Sequence, residues 1–223
     1  YDNLFEKSPF ELQSDIMFIK GDLGDELLGG SNRKVPESAG TSGWTWGQLR
    51  KINTMLGNMD KCEDPDAVKE YSALAKFFRA RFYFEKVKRF GDVPWYDKEL
   101  GSTDEDLYKA RDSREFVMAR MIEDIDEAIA GLPDGVSTYR VNKWAALMLK
   151  AQFCLFEGTF RKYHGITFNE GRTADDYLTL AYQAAQQVME CPLYGLADDY
   201  GAMFRSVDAN KKEYILAIKM DHT

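Results

Sequence analysis

Six stretches of this chain open on a helix-capping pattern and close on glycine or proline, and none of the six prolines falls inside one. Ser8-Pro9-Phe10-Glu11 combines a capping hydroxyl, a proline at the first helical position and an acid in the first turn. The helix it predicts carries Phe10, Ile16, Met17, Ile19 and Leu23 and ends near Leu28, before Gly29-Gly30. A second helix is predicted over Thr45 to Asn58, with Leu49, Ile52, Met55 and Leu56 on one face. Asp64-Pro65-Asp66 opens a third, Asp66 to Phe90, with a stripe of Tyr71, Leu74, Ala75, Phe78, Phe82 and Val87. Gly91 ends it and Pro94 blocks its continuation. A fourth starts at Asp112-Ser113-Arg114-Glu115, turns Phe116, Val117, Met121, Ile125 and Ala128 inward, and stops at Gly131 and Pro133. Asn142 caps a fifth that runs to about Gly158, and Thr173 caps a sixth that ends near Cys191-Pro192. The fold class is all-α: antiparallel helices joined by turns and long irregular loops.

The later helices start about thirty residues apart, near the period of tetratricopeptide units. Ala128 with Pro133, and Ala181, Ala184 and Ala185, suit closely approaching helices. The expected architecture is therefore tetratricopeptide-like helical hairpins, without a clean repeat signature. Such solenoids bind partners more often than they catalyse.

Composition narrows the function. With 223 residues the chain can bury a core without a metal or disulfide staple. Its 29 basic against 37 acidic residues leave a formal charge of −8, which disfavours nucleic acid and anionic lipid. Lys76, Arg79, Arg81, Lys86, Lys88 and Arg89 make the third helix locally basic; they read as a solvated face with stems lying over the core. Two histidines, His164 and His222, exclude a multi-histidine metal site, and no cofactor is expected. The three cysteines lack metal-site spacing, and Cys154 in its apolar stretch reads as a core residue. Asp104-Glu105-Asp106 lacks the loop that a calcium site of the helix-loop-helix type needs. No hydrolase, phosphate-loop or dinucleotide motif is present, so no catalytic residue is assigned. Glu157, Arg161, Tyr163 and His164 form a polar aromatic group placed after the fifth helix. The start at Tyr1 and the strand-like Tyr214 to Ile218 make the chain read as part of a longer protein.

Several blocks, in order, resemble the SusD/RagB family of surface glycan-binding lipoproteins of Bacteroidetes. Phe5 to Leu28, with Asp25-Glu26-Leu27, resembles the family's first helix. Trp46 to Leu56 resembles the helix that follows. The most distinctive block is Ala75 to Phe84 followed by Arg89-Phe90-Gly91-Asp92-Val93-Pro94. Ile125 to Pro133, Val141 to Ala151, Tyr182 to Phe204 and Glu213 to Leu216 continue the series. The resemblance covers nearly all of residues 1–223, as a single helical domain matching the N-terminal portion of longer family members. It implies a non-catalytic, lipid-anchored protein on the cell outer membrane. Its partners would be an oligosaccharide or polysaccharide and a SusC-like TonB-dependent transporter. The lipid-bearing cysteine is absent from this chain.

The candidate ligand contacts are two aromatic pairs and three polar residues. Trp44 and Trp46 flank Thr45 on a Gly/Ser-rich segment, where an indole can cover the apolar face of a sugar. Asp25, Asn32 and Arg33 supply groups for its hydroxyls. The alternative for Trp46 is that it begins the second helix and packs into the core. Trp95-Tyr96 is the second pair, either an exposed platform or a cover for a helix end. Trp144 reads as core. The rival to glycan capture is a tetratricopeptide-like scaffold that binds a protein.

Overall fold

The computed structural model describes residues 43–135, 137–168, 171–205 and 212–218. The chain divides into two compact units, Tyr1–Trp46 and Gly47–Thr223. Among the described residues every regular element is helical: α1 Gly47–Leu56, α2 Pro65–Phe90, α3 Arg114–Gly131, α4 Lys143–His164, α5 Ala174–Met189 and α6 Tyr200–Arg205. Single 3-10 turns cover Met59–Lys61 and Glu105–Tyr108.

The caps are where the sequence places them. Asp64 accepts from the Asp66 and Ala67 amides at 3.0 and 3.2 Å. Ser113 accepts from Phe116 at 3.2 Å and Asn142 from Ala145 at 3.0 Å. Thr173 and Asp176 close a reciprocal capping box. Each satisfies amides that the first helical turn cannot pair internally.

Neighbouring helices run antiparallel, and the cross-contacts show the register. Along α2 and α3, Ala73 meets Gly131, Lys76 pairs with Glu127, and Arg79 with Asp124. From α3 to α4, Asp126 pairs with Lys150 and Arg114 with Glu157. From α4 to α5, Leu147 and Ala151 pack with Ala184 and Val188. The helical hairpins are thus real. α2 is the central element: from Phe77 to Val87 it is buried on nearly every side, as Phe77, Ala80, Phe82, Tyr83, Phe84 and Val87 show.

Several expectations need correction. The second predicted helix starts at Gly47, not Thr45, so Trp46 precedes it. Its buried residues are Leu49 and Asn53, while Met55 is exposed, because Asn53 turns inward to hydrogen-bond a loop. Tyr71 and Phe116 face solvent at 44% and 46%, each in the first turns of its helix, short of the buried middle. Of the basic face of α2, Arg79 and Lys86 are buried rather than solvated, because α2 has no broad solvent face along its middle. The fifth predicted helix does not stop at Gly158; α4 runs to His164 and ends on Gly165, whose φ of +61° is the left-handed cap that glycine favours. Gly158 is a close-approach glycine instead: a Cβ there would meet Leu178 at 2.8 Å and the Ala174 carbonyl at 3.0 Å. Glu157 and Arg161 therefore lie within α4, not after it, and both are buried. Tyr214 to Ile218 forms no strand; the Ala217 amide donates to the Thr138 carbonyl at 2.8 Å in irregular chain. Trp144 packs partly buried against the core between α4 and α5.

Candidate functional site

The described part of the first unit is Gly43 to Trp46. Gly43 has φ +78°, a conformation that glycine adopts readily, and Trp44 to Trp46 follow without helical structure. The two indoles stand edge to face, with centroids 5.2 Å apart and planes at 81°. Both are half-buried, and Thr45 between them is exposed. Alternation across an irregular segment places the rings side by side, and edge-to-face contact fixes their relative tilt. Asp25, Asn32 and Arg33 lie outside the described residues.

The second aromatic pair sits on a strap, residues 91–113, between α2 and α3. Its ends are joined by a bridge between Val93 and Asp112. The backbone amides and carbonyls of Trp95 and Tyr96 are all tied to side chains, two from the strap itself and two from α1 and α2. The Trp95 amide donates to Asp112 Oδ2 at 2.7 Å, and Lys109 Nζ donates to the Trp95 carbonyl at 2.7 Å. The Tyr83 hydroxyl accepts from the Tyr96 amide at 2.6 Å and donates to the Pro94 carbonyl at 3.2 Å. Burial raises the Tyr83 hydroxyl above its ordinary pKa, so it stays protonated and keeps that donor. Asn53 Nδ2 donates to the carbonyls of Tyr96 and Lys98 at 2.9 and 3.1 Å. Backbone held in this way cannot drift with the loop.

Of the two readings of Trp95, the structure has the covered ring and not the exposed platform. It is 5% exposed and stacks on Tyr83 at 4.1 Å, with the Arg79 and Arg120 guanidinium groups 5.4 and 5.9 Å from its ring. A ring covered in this way has no face left for a sugar. Tyr96 is half-buried, with the Lys109 ammonium 5.2 Å from its ring. Tyr108, further along the strap, is 88% exposed. Nothing in its sequence surroundings of Asp104 to Lys109 marks it beyond the residue type.

Two buried ionic clusters hold this framework. In the first, Arg79 donates to both Asp124 oxygens at 2.6 Å, and reaches Asn53 Oδ1 at 3.3 Å and the Asp97 carbonyl at 3.4 Å. Burial acts to lower the Arg79 guanidinium, but its hydrogen bonds to Asp124 hold it above its ordinary value. Burial pushes the Asp124 carboxyl up, against the pull of Arg79. In the second, Arg114 Nε donates to Glu157 at 2.8 and 3.0 Å, and Arg161 Nε donates to the same carboxylate at 2.8 Å. Arg161 also binds Glu115 and donates to the Arg172 carbonyl at 2.5 Å. Phe160 and Tyr177 cover these guanidiniums at 3.9 and 4.5 Å. Sequence reasoning missed Asn53, Tyr83, Arg79 and Asp124 as strap supports. The available signal was Arg79 itself, a charge inside the apolar run Phe77-Phe78-Arg79-Ala80.

Among the described residues no group of three or more His, Cys, Asp or Glu is placed to hold a metal ion. Cys154 is buried, and burial pushes its thiol up to about 12, so it stays an unreactive thiol at neutral pH. No described helix is long and apolar enough to cross a membrane.

Comparison with known proteins places this architecture. No curated protein matches the chain. A SusD-like protein from Bacteroides fragilis NCTC 9343 is 24% identical, with a TM-score of 0.54 over 67% of this chain and 26% of its own. NanU of B. fragilis is 27% identical, with a TM-score of 0.53 over 68% of this chain and 29% of its own. A laminarin-binding SusD-like protein is 21% identical, with a TM-score of 0.56 over 70% of this chain and 32% of its own. The chain therefore spans between 26% and 32% of the length of these structures. Residues 42–155, more than half of the chain, match the family described as "SusD-like" and "Starch-binding associating with outer membrane". They run from the tryptophan pair through α1, α2, the strap and α3 into α4, and with the shared helical fold they make this chain a member of the SusD-like family.

Proposed function

We propose that this chain belongs to a non-catalytic glycan-binding component of an outer-membrane nutrient-uptake system. It captures an oligosaccharide and presents it to a SusC-like TonB-dependent transporter. The protein sits at the cell surface as a lipoprotein. The family description names starch binding, and one similar structure is a laminarin-binding protein. The observation that carries the reading is the Trp44–Trp46 pair, half-exposed and fixed edge to face. Two tilted indoles offer apolar faces to a sugar ring, and Asp25, Asn32 and Arg33, earlier in the sequence, are the polar residue types proposed for its hydroxyls. Tyr96 is a separate contact, on a strap that does not need to reorganise when ligand arrives. Trp95 supports that strap from beneath.

A site that must release its ligand to a transporter suits affinities on the order of micromolar to millimolar, about −8 to −4 kcal/mol. The test is calorimetric titration of the full-length protein with neutral oligosaccharides, alongside Trp44→Ala and Tyr96→Ala variants and an assay for released sugar. Saturable binding, weakened at least about tenfold by Trp44→Ala and without cleavage, is the expected result. Tyr96→Ala should cost less, about threefold. Undiminished binding in the Trp44 variant would remove the pair from the site, and turnover would overturn the non-catalytic reading.

A further inference from the structure

One end of the helical unit carries a cleft that the proposed function does not use. It lies where the first turns of α2, the last turn of α3 and the start of α4 meet, with Gln187 of α5 at its edge, and encloses about 520 Å³. Its floor depends on Gly131. A Cβ there would stand 2.6 Å from the Ala73 Cβ and 3.2 Å from the Lys69 carbonyl, so only glycine lets the end of α3 lie against α2. That approach leaves Gly131 and its neighbours Ala130, Leu132 and Pro133 lining the cleft.

The charges around it are only partly paired, and the Lys143 ammonium stands 5.5 Å from the Trp144 ring. Glu70 and Asp126 are already engaged, with Arg140 at 3.3 Å and Lys150 at 2.6 Å. Lys69, Lys143, Asp66 and Asp134 line the same space, yet none of the four forms an ion pair among the described residues. Two ammonium groups, which only donate, and two carboxylates, which only accept, face one cleft without closing on each other. A bridging ligand must therefore both donate and accept. With Glu70 and Asp126 already paired, an anion would face the carboxylates of Asp66 and Asp134 and the carbonyl end of α3. A cation would face two ammoniums. A flat apolar ligand finds no aromatic wall. Hydroxyl groups meet both demands, and the volume lies in the range of small-ligand sites.

We propose that this cleft is a second contact site for a neutral polyhydroxylated ligand, read by hydrogen bonds from Asp66, Lys69, Asp134, Lys143 and Gln187 rather than by stacking. The inference rests on the glycan reading above and assigns that ligand class a further subsite.

The experiment is lysine labelling. The full-length protein is acetylated at limiting reagent with and without saturating neutral oligosaccharides from starch, laminarin, xyloglucan and mannan. Mass spectrometry then reads each lysine, with exposed Lys51 on α1 as the internal reference. Bound glycan should slow labelling of Lys69 and Lys143 at least threefold and leave Lys51 unchanged. The double variant Asp66→Asn, Lys143→Met should abolish the protection of Lys69 while leaving the melting temperature within about 2 °C. Calorimetry on the same samples separates the two ideas. If an oligosaccharide binds the wild type while Lys69 and Lys143 label at their free rate, the second site is wrong and the glycan reading stands. If no oligosaccharide binds at all, both fall together.

Discussion

Arg79 and Asp124 meet one to one, whereas Glu157 is shared between Arg114 and Arg161, with Glu115 taking the far side of Arg161. Both clusters bury full charges between helices, yet they spend their remaining donors differently. Arg79 turns its spare Nη1 toward Asn53 and the Asp97 carbonyl, so the first cluster reaches out of the helices into the strap. Arg161 turns its spare donor to the Arg172 carbonyl, just before the Thr173 cap, so the second cluster fixes the turn from α4 into α5. The first cluster positions a candidate ligand-contact loop, and the second holds the bundle's own connection. Buried pairs add little net stability over apolar residues of like shape, but removing one partner strands a charge. Damage to each cluster should therefore appear in a different place.

The largest effect is expected at the shared carboxylate. Glu157→Gln leaves Arg114 without a buried counter-charge and Arg161 with Glu115 alone. A loss near the top of the range for a broken buried pair, about 4–5 kcal/mol, should show as a lower urea midpoint. A loss below about 1 kcal/mol would mean that the network carries no stranded charge. Asp124→Asn should cost less, about 3 kcal/mol, because Arg79 keeps the Asn53 and Asp97 oxygens. The double replacement Arg79→Met, Asp124→Leu sharpens the contrast. It should recover most of that stability, since an apolar pair needs no counter-charge, yet speed amide exchange at Tyr96 and Lys98, whose carbonyls Asn53 binds. If exchange there does not change, the first cluster does not steady the strap.

Gly158, one residue from the shared carboxylate, tests whether the second cluster depends on helix spacing. Gly158→Ala puts a methyl 2.8–2.9 Å from Leu178 carbons and 3.0 Å from the Ala174 carbonyl. The leucine can turn, but the carbonyl cannot, so α5 must move. The expected cost is about 2 kcal/mol. No change in unfolding would mean that α4 and α5 have slack at their crossing.

Much of this was legible in the sequence, for identifiable reasons. Asp64, Ser113, Asn142 and Thr173 act on amides two or three residues away, so local pattern located four helix starts correctly. The conjunction of ordered blocks also pointed to the family. What failed was anything decided across the fold. Gly158 looks like a stop until α5 is laid against it. Arg79 and Lys86 follow a surface pattern on a helix whose middle has no surface. Trp95 looks like a loop aromatic, yet Tyr83 eleven to thirteen positions earlier binds the carbonyl and amide on either side of it and covers its ring. The tryptophan pair is proposed from residue type and proximity; the structure adds the edge-to-face contact of the rings, and what they touch is not written in the local sequence.

Lys86 gives the smallest expected effect and the clearest contrast with the three clustered arginines. It is buried on the same helix as Arg79, two turns further on, with its ammonium 4.8 Å from the Phe82 ring. Burial, helped by neighbouring Arg89 and opposed by Glu85, brings its amine down to about 8. Its protonated form is thus disfavoured in the folded state, the opposite of Arg79. Below pH 8 the lysine is charged in both states, and folding bears the full cost of burying that charge. Between pH 8 and the ordinary lysine value of 10.5 the folded chain releases its proton first, so the unfolded chain binds more protons and stability rises with pH. Lys86→Met should therefore stabilise the protein at pH 7, by about 1 kcal/mol after allowing for screening by nearby solvent. The advantage should shrink through pH 8 to 10.5 and vanish above it. A gap between the two urea midpoints that stays constant with pH would show that the amine is not strained by burial. The difference between Lys86 and Arg79 would then lie in packing rather than in charge.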